Sequence, residues 1–362
     1  MYRFHEVFHE LLSDIKMMRP NEKIASRNKL CNKYLVSRTT VDRAIADLVR
    51  EGYLYTVKGG GTYVADLHSF GTAVKQDVVN VGVLISDIVY GTYSGLLHGL
   101  QDVFNQHDIN TVIYNSNNDL DKQRIITERL LKSSIAAMII VPVINSKDSS
   151  SSMEGLVARK PQIPIVLCNR PILDSGLPVI TSNNYYGGYL ATKHLIDAGY
   201  QRISYISSLT YQASTARYHG YLAALYEAGR TVDYTLIKTI PELSRIELGY
   251  QMTQELIREQ ASFDAIFCFN DRLACGAANA VIEHGLRISD DVGIIGYDNS
   301  ELCYSQAKPL SSVSYMMYEI GQEAARRVVA ELNGAKETFP EEVVFQPQLI
   351  VRRSSLGPRP TP

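Results

Sequence analysis

The chain has 362 residues, 45% of them hydrophobic and 20% charged, with 24 Gly and 13 Pro. That balance excludes a largely disordered chain, a collagen-like chain and a coiled-coil rod, and the length points to two or more domains. The formal charge of −2 is unevenly shared: residues 1–66 hold eleven Lys and Arg against eight Asp and Glu, a balance of +3, which leaves −5 for the other 296 residues and hints at a polyanion partner for the first segment alone.

The first predicted helix carries Phe4, Val7, Phe8, Leu11, Leu12 and Ile15 on one stripe and is ended by Arg19-Pro20-Asn21, since Pro cannot continue the backbone ladder. A second, shorter helix runs from about Ser26, as N-cap, through Leu30 and Tyr34. Ser37 caps a third helix, whose inward positions are Val41, Ala44, Ile45, Leu48 and Val49 and which Gly52 closes in the left-handed conformation. Helix, tight turn, helix is the pattern of a helix-turn-helix. Thr39, Arg43 and Arg50 point away from the buried side, with Arg38 and Thr40 flanking, so Arg38, Thr39 and Arg43 are best placed to touch the major groove. Arginine forks onto guanine O6 and N7 or onto phosphate; the hydroxyls of Ser37, Thr39 and Thr40 suit phosphate oxygens. After Gly52 the period changes to two. Tyr53–Val57 and Thr62–Ala65 flank Lys58-Gly59-Gly60-Gly61, a hairpin whose bare tip lets backbone N–H groups approach phosphate beside Lys58. A strand follows the glycines, which excludes a P-loop and a Rossmann fingerprint.

This ordered set resembles the winged helix-turn-helix of the GntR family of bacterial transcription regulators. The resemblance puts the groove-reading arginine on Arg38 and the wing glycines on Gly59, Gly60 and Gly61. Two positions depart from it. Asn28, a candidate contact on the second helix, stands where the family often has Arg, and Asp42 stands where it often has another, with Arg43 next to it. The operator sequence therefore does not carry over.

Asp66–Asp77 has no sustained period and reads as a linker. From Val78 onward apolar strand runs alternate with amphipathic helices. The strands are expected at Val78–Ile85, Thr111–Tyr114, Ala136–Val143, Ile163–Leu167, Val179–Thr181, Ile203–Ile206, Ala265–Phe269 and Val292–Gly296. Continuous apolar strands separated by helices imply parallel sheets covered on both faces, here two α/β subdomains with ligands at the C-terminal strand ends. Polar residues gather at those ends: Ser86-Asp87, Asn169-Arg170-Pro171, Asn270-Asp271 and Asp298-Asn299, with Arg217 on a helix near Ala213. Amide, carboxylate and guanidinium together suit a polyol. Trp is absent, so stacking on a sugar face falls to Tyr90, Tyr93, Tyr185, Tyr186 or Tyr297.

The segments Ser182–Leu195, Ala216–Tyr221, Phe269-Asn270-Asp271 and Gly293–Asp298 resemble the effector domain of LacI/GalR-type repressors, relatives of periplasmic sugar-binding proteins with two lobes closing on a ligand. The resemblance places effector contacts on Arg217, Asn270, Asp298 and Asn169, and Asp87, Tyr93 and Arg170 complete the candidate set. Together the readings give a winged helix-turn-helix over 1–66, a linker over 67–77 and a two-lobed periplasmic-binding-protein-like domain over 78–362. The combination is similar to the arabinose-repressor family of Gram-positive bacteria. The expected function is a homodimeric repressor that binds double-stranded operator DNA and is released by a small sugar effector, L-arabinose or a related pentose. The alternatives are another sugar, a sugar phosphate or a sugar acid as effector, or a sugar-binding protein without DNA function. Nucleophile-elbow, paired-carboxylate and metal-ligand patterns are missing from the sequence, so neither an enzyme nor a cofactor is expected. Five cysteines without metal-ligand spacing, no apolar stretch of about 20 residues and no export signal point to a cytoplasmic protein.

Overall fold

The computed structural model describes residues 2–50, 52–57, 60–65, 79–88, 91, 93–143, 163–172, 175–208, 212–240, 244–335 and 339–357. The chain divides into two compact units, Met1–Val78 and Val79–Pro362. The expected linker at 67–77 lies outside the described residues.

The first unit contains helices α1 (Tyr2–Lys16), α2 (Arg27–Tyr34) and α3 (Arg38–Arg50), then strands β1 (Leu54–Val57) and β2 (Gly61–Val64). The helices exist because their apolar stripes meet: Leu11, Ile15, Leu30, Val41, Ile45 and Leu48 form one core with Ile24, Leu54 and Val64. The first helix stops at Lys16, short of the expected Arg19-Pro20-Asn21. Ser26 holds the N-cap position of α2, but its side chain caps nothing. Leu35 makes the sharp turn into α3 with a left-handed φ of 54°, and Val36 N–H donates to the Cys31 carbonyl. Gly52 closes α3 at φ 82°, as expected. β1 and β2 pair antiparallel from Leu54 opposite Val64 to Val57 opposite Gly61.

In the second unit two sheets share the work. The first has strand order β13-β7-β6-β5-β3-β4, from β3 (Val79–Ile85), β4 (Ile109–Asn115), β5 (Ala137–Ile140), β6 (Ile165–Cys168), β7 (Val179–Ser182) and β13 (Glu342–Phe345), with every pair parallel. The second has order β14-β12-β11-β10-β8-β9. It is built from β8 (Ile203–Ser208), β9 (Ile237–Ile240), β10 (Ala265–Cys268), β11 (Gly293–Tyr297), β12 (Ser311–Ser314) and the antiparallel edge β14 (Gln348–Ile350). Central strands are apolar throughout because helices cover both faces; all residues of β5, β6, β10 and β11 are buried. Helices α4 (Ser94–Phe104), α5 (Leu120–Leu131) and α10 (Met317–Leu332) pack on the first sheet. α6 (Asn184–Asp197), α7 (Gln212–Glu227), α8 (Ile246–Arg258) and α9 (Asp271–Glu283) pack with the second. This is the doubly wound, two-lobed α/β architecture the sequence implied.

The chain passes between these lobes three times, at Ser182 to Asn184, at Ser314 to Met317 and at Phe345 to Gln348. Four strands, β9, β12, β13 and β14, and helix α10 were not anticipated. Each of the four is short, and its residues are Ser-rich or half-exposed rather than continuously apolar.

Candidate functional site

Arg217 organises the second lobe's half of the site. Helices α6 and α7 cross with glycines at the contact. A Cβ on Gly188 would stand 2.1 Å from the Arg217 carbonyl oxygen, and one on Gly220 2.0 Å from that of Tyr185. That close approach brings the Arg217 guanidinium, on a residue only 3% exposed, beneath the strand ends. Its Nε donates to Asn184 Oδ1 at 2.9 Å and one terminal nitrogen to the Phe269 carbonyl at 2.6 Å, while the other stands 3.9 Å from Asp298 Oδ1. The guanidinium lies 3.5 Å from the centre of the Tyr297 ring and 4.6 Å from that of Phe269. Tyr297 is therefore a buried floor under Arg217, which corrects its candidacy as a sugar-stacking face. Burial pushes the Asp298 carboxyl up to about 7, against the downward pull of Arg217. Asp298 is held at a left-handed φ of 100° by the loop that follows it. There Asp271 accepts from Ser300 N and Oγ and from Ser312 Oγ, and Ser312 Oγ accepts from Asn299 N. Asn270 caps α9 through Oδ1 to Leu273 N and donates from Nδ2 to Ser244 Oγ at 2.6 Å, so its cap role and its candidate contact role share one side chain.

The first lobe presents a matching cluster. The Tyr93 hydroxyl accepts from Arg170 at 2.8 Å, Ser86 Oγ at 3.1 Å and Asn169 Nδ2 at 3.2 Å. Asn169, just past β6, has a left-handed φ of 73°. Polar contacts join the lobes. Asp87, beyond the end of β3, stands 3.5 Å from the guanidinium of Arg272 on α9, and both side chains are mostly buried. At the crossovers the Tyr315 hydroxyl donates to the Asn169 carbonyl at 2.9 Å and accepts from Asn184 Nδ2 at 3.3 Å. Polar contacts thus run from Asp298 through Arg217, Asn184, Tyr315 and Asn169 to Tyr93 and Arg170. Of the predicted site residues, Asp87, Tyr93, Asn169, Arg170, Arg217, Asn270 and Asp298 all lie at C-terminal strand ends or on the helices that follow. Tyr185 and Tyr186 are exposed on α6, and Tyr90 lies outside the described residues. Sequence reasoning missed Tyr315, Arg272 and Ser244; only Asn184, within the Asn-Asn-Tyr-Tyr-Gly-Gly run, carried a signal. Among the described residues no cluster of His, Cys, Asp and Glu could hold a metal ion.

In the first unit Arg38, Thr39 and Arg43 are exposed on α3, and Asn28 on α2. Ser37 Oγ caps the α3 start loosely, 3.4 Å from Thr40 N and 2.9 Å from Thr40 Oγ1. Gly60 lies in the turn, its N–H donating to the Val57 carbonyl, whereas Gly61 is the first residue of β2 rather than part of the tip. Gly61 is favoured there by its φ of +120°; a Cβ would also meet Lys23 Cε at 2.5 Å, the end of a flexible, exposed side chain that can move aside. Lys23, which the sequence reading passed over, sits 5.8 Å from the Tyr63 ring centre and adds a cation to the wing. Lys58 and Gly59 lie outside the described residues.

Residues 4–64 match the family of bacterial regulatory proteins named gntR, and residues 192–355 match the periplasmic binding protein-like domain. An arabinose metabolism transcriptional repressor of Geobacillus stearothermophilus is 24% identical over 98% of this chain and 97% of its own length. The HTH-type transcriptional regulator DegA of Bacillus subtilis is 29% identical over 88% of this chain and 95% of its own. The crystal structure of a LacI family regulator from Enterococcus faecium with bound ribose shares the fold, with a TM-score of 0.65 at 24% identity over 77% of this chain and 99% of that one. The chain joins a GntR-type winged helix-turn-helix to a periplasmic-binding-protein-like domain. The first match is to a family of regulatory proteins, and the relatives that span most of the chain are transcriptional regulators.

Proposed function

We propose that this regulator is a homodimeric repressor. Its third helix and wing read operator DNA, and its second unit binds a monosaccharide or a sugar derivative between the lobes, weakening operator binding. The observation that carries the effector half is Asp298, a carboxylate of raised pKa facing a guanidinium that is fixed on an aromatic floor. Such a pair accepts from and donates to adjacent hydroxyls with little reorganisation. The Tyr93–Asn169–Arg170 cluster offers the complementary donors from the opposite lobe. The exposed Arg38, Thr39 and Arg43 support the DNA half. The full-length relative that acts in arabinose metabolism makes L-arabinose the first sugar to try, and the ribose held by the Enterococcus structure widens the class to other pentoses. Arg170 and Arg217 also suit a phosphate or carboxylate on the sugar. Calorimetry of the full chain against pentoses, hexoses, their acids and their phosphates tests this. Saturable heat from at least one of them is expected, and no heat from any contradicts the effector assignment.

A further inference from the structure

We propose that Asp42 determines which bases the third helix reads, by holding Arg38 in one orientation; the inference rests on the DNA-binding reading above. Asp42 lies one turn after Arg38, its Oδ2 3.8 Å from Arg38 Nε, while its Oδ1 accepts from Arg27 Nε at 3.1 Å. Arg27 is itself fixed. Its NH1 donates to Thr62 Oγ1 at 3.1 Å, and Thr62 is 2% exposed in the second wing strand. The carboxylate is thus anchored through α2 and the wing and steadies Arg38 from the side. An arginine reads guanine by aiming its planar fork at O6 and N7 together, so restricting its rotamers before contact favours that geometry over casual phosphate contact. Asp42 also brings a negative charge to the same surface. That charge repels phosphate, and the groups of DNA that it can accept from are base-edge donors such as the cytosine amino group. Both effects lower affinity for DNA in general and raise discrimination between sequences. Exposed ion pairs of this kind add little to folding, so removing the carboxylate tests recognition rather than stability.

The experiment is selection of the full chain on a pool of random duplexes, followed by titration of the enriched motif and a scrambled duplex at two salt concentrations. The parent enriches one motif, and Arg38→Ala loses it. Asp42→Ala enriches a more degenerate or altered motif, its preference for the parent motif over the scrambled duplex falling about tenfold. Its binding to the scrambled duplex tightens as one repulsive charge is removed. Asp42→Glu, which keeps a carboxylate near both guanidiniums, retains the parent motif. If Asp42→Ala keeps both the motif and the preference, or shifts all duplexes in parallel as a change in net charge or stability does, the proposal is overturned. A parent that enriches nothing, or whose motif survives Arg38→Ala, contradicts the assignment of the third helix as reader and the proposal with it.

Discussion

A guanidinium stacked 3.5 Å from the Tyr297 ring and bonded to Asn184 and the Phe269 carbonyl cannot turn away without leaving buried partners unpaired. Truncating it in Arg217→Ala also strands Asp298, so the variant is expected to lose about 3 kcal/mol of stability, read by denaturant unfolding, together with all heat of sugar binding. Asp298 gives a pH test with a definite sign. Its carboxyl is raised to about 7 from the ordinary 3.8, so the folded chain holds more protons than the unfolded one between those values. Stability from this group is therefore full below the lower value and falls as pH rises toward the upper one. Asp298→Asn removes that dependence, and its melting temperature relative to the parent should be higher at pH 8 than at pH 5. A constant difference across that range would mean the carboxyl titrates normally. The sequence singled out both residues, Asp298 as a polar residue at a strand end and Arg217 on its helix through the resemblance. It gave no sign of Tyr315, which lies in a stretch without a recognised strand, or of the buried role of Tyr297.

At the scale of elements, placement of Arg217 depends on how closely α6 and α7 approach. Gly188→Ala would push a methyl group toward the Arg217 carbonyl, which it would meet at 2.1 Å, so the helices must part. Overpacking of this kind costs about 1–3 kcal/mol, and here it should also weaken sugar binding, because the displaced residue is a binding group. A thermal melt and calorimetry on the same preparation check both, and a variant with parent-like values would show that the helices yield freely. Long amphipathic helices, α10 excepted, and fully buried strands were legible in the sequence, since their periodicity is set by burial on one face or on both. The short strands at sheet edges and crossovers were not, because Glu342–Phe345 and Gln348–Ile350 alternate only weakly in burial and are recognisable through their partners alone. The left-handed Leu35, 82% exposed in the turn before α3, is another feature that residue type does not announce.

Across the second unit, the polar path from Asp298 through Arg217, Asn184 and Tyr315 to Asn169 ties both lobes to the crossover segments. The Asp87–Arg272 pair ties them again at the strand ends. A ligand that engages Asp298 and Asn169 together must therefore act on the relative position of the lobes, which is the physical requirement for passing a signal to an attached DNA reader. The winged helix-turn-helix and the two-lobed fold were readable from the order of elements. The links between lobes were not, since they join residues far apart in the chain. By linkage, a sugar that weakens operator binding must itself bind more weakly to the operator complex, by the same factor. Titrating the selected operator duplex into the full chain, with and without a saturating amount of a sugar found by calorimetry, is the most direct test. Operator affinity is predicted to fall about 5- to 150-fold with sugar present, and an operator affinity that the bound sugar leaves unchanged would contradict the coupling.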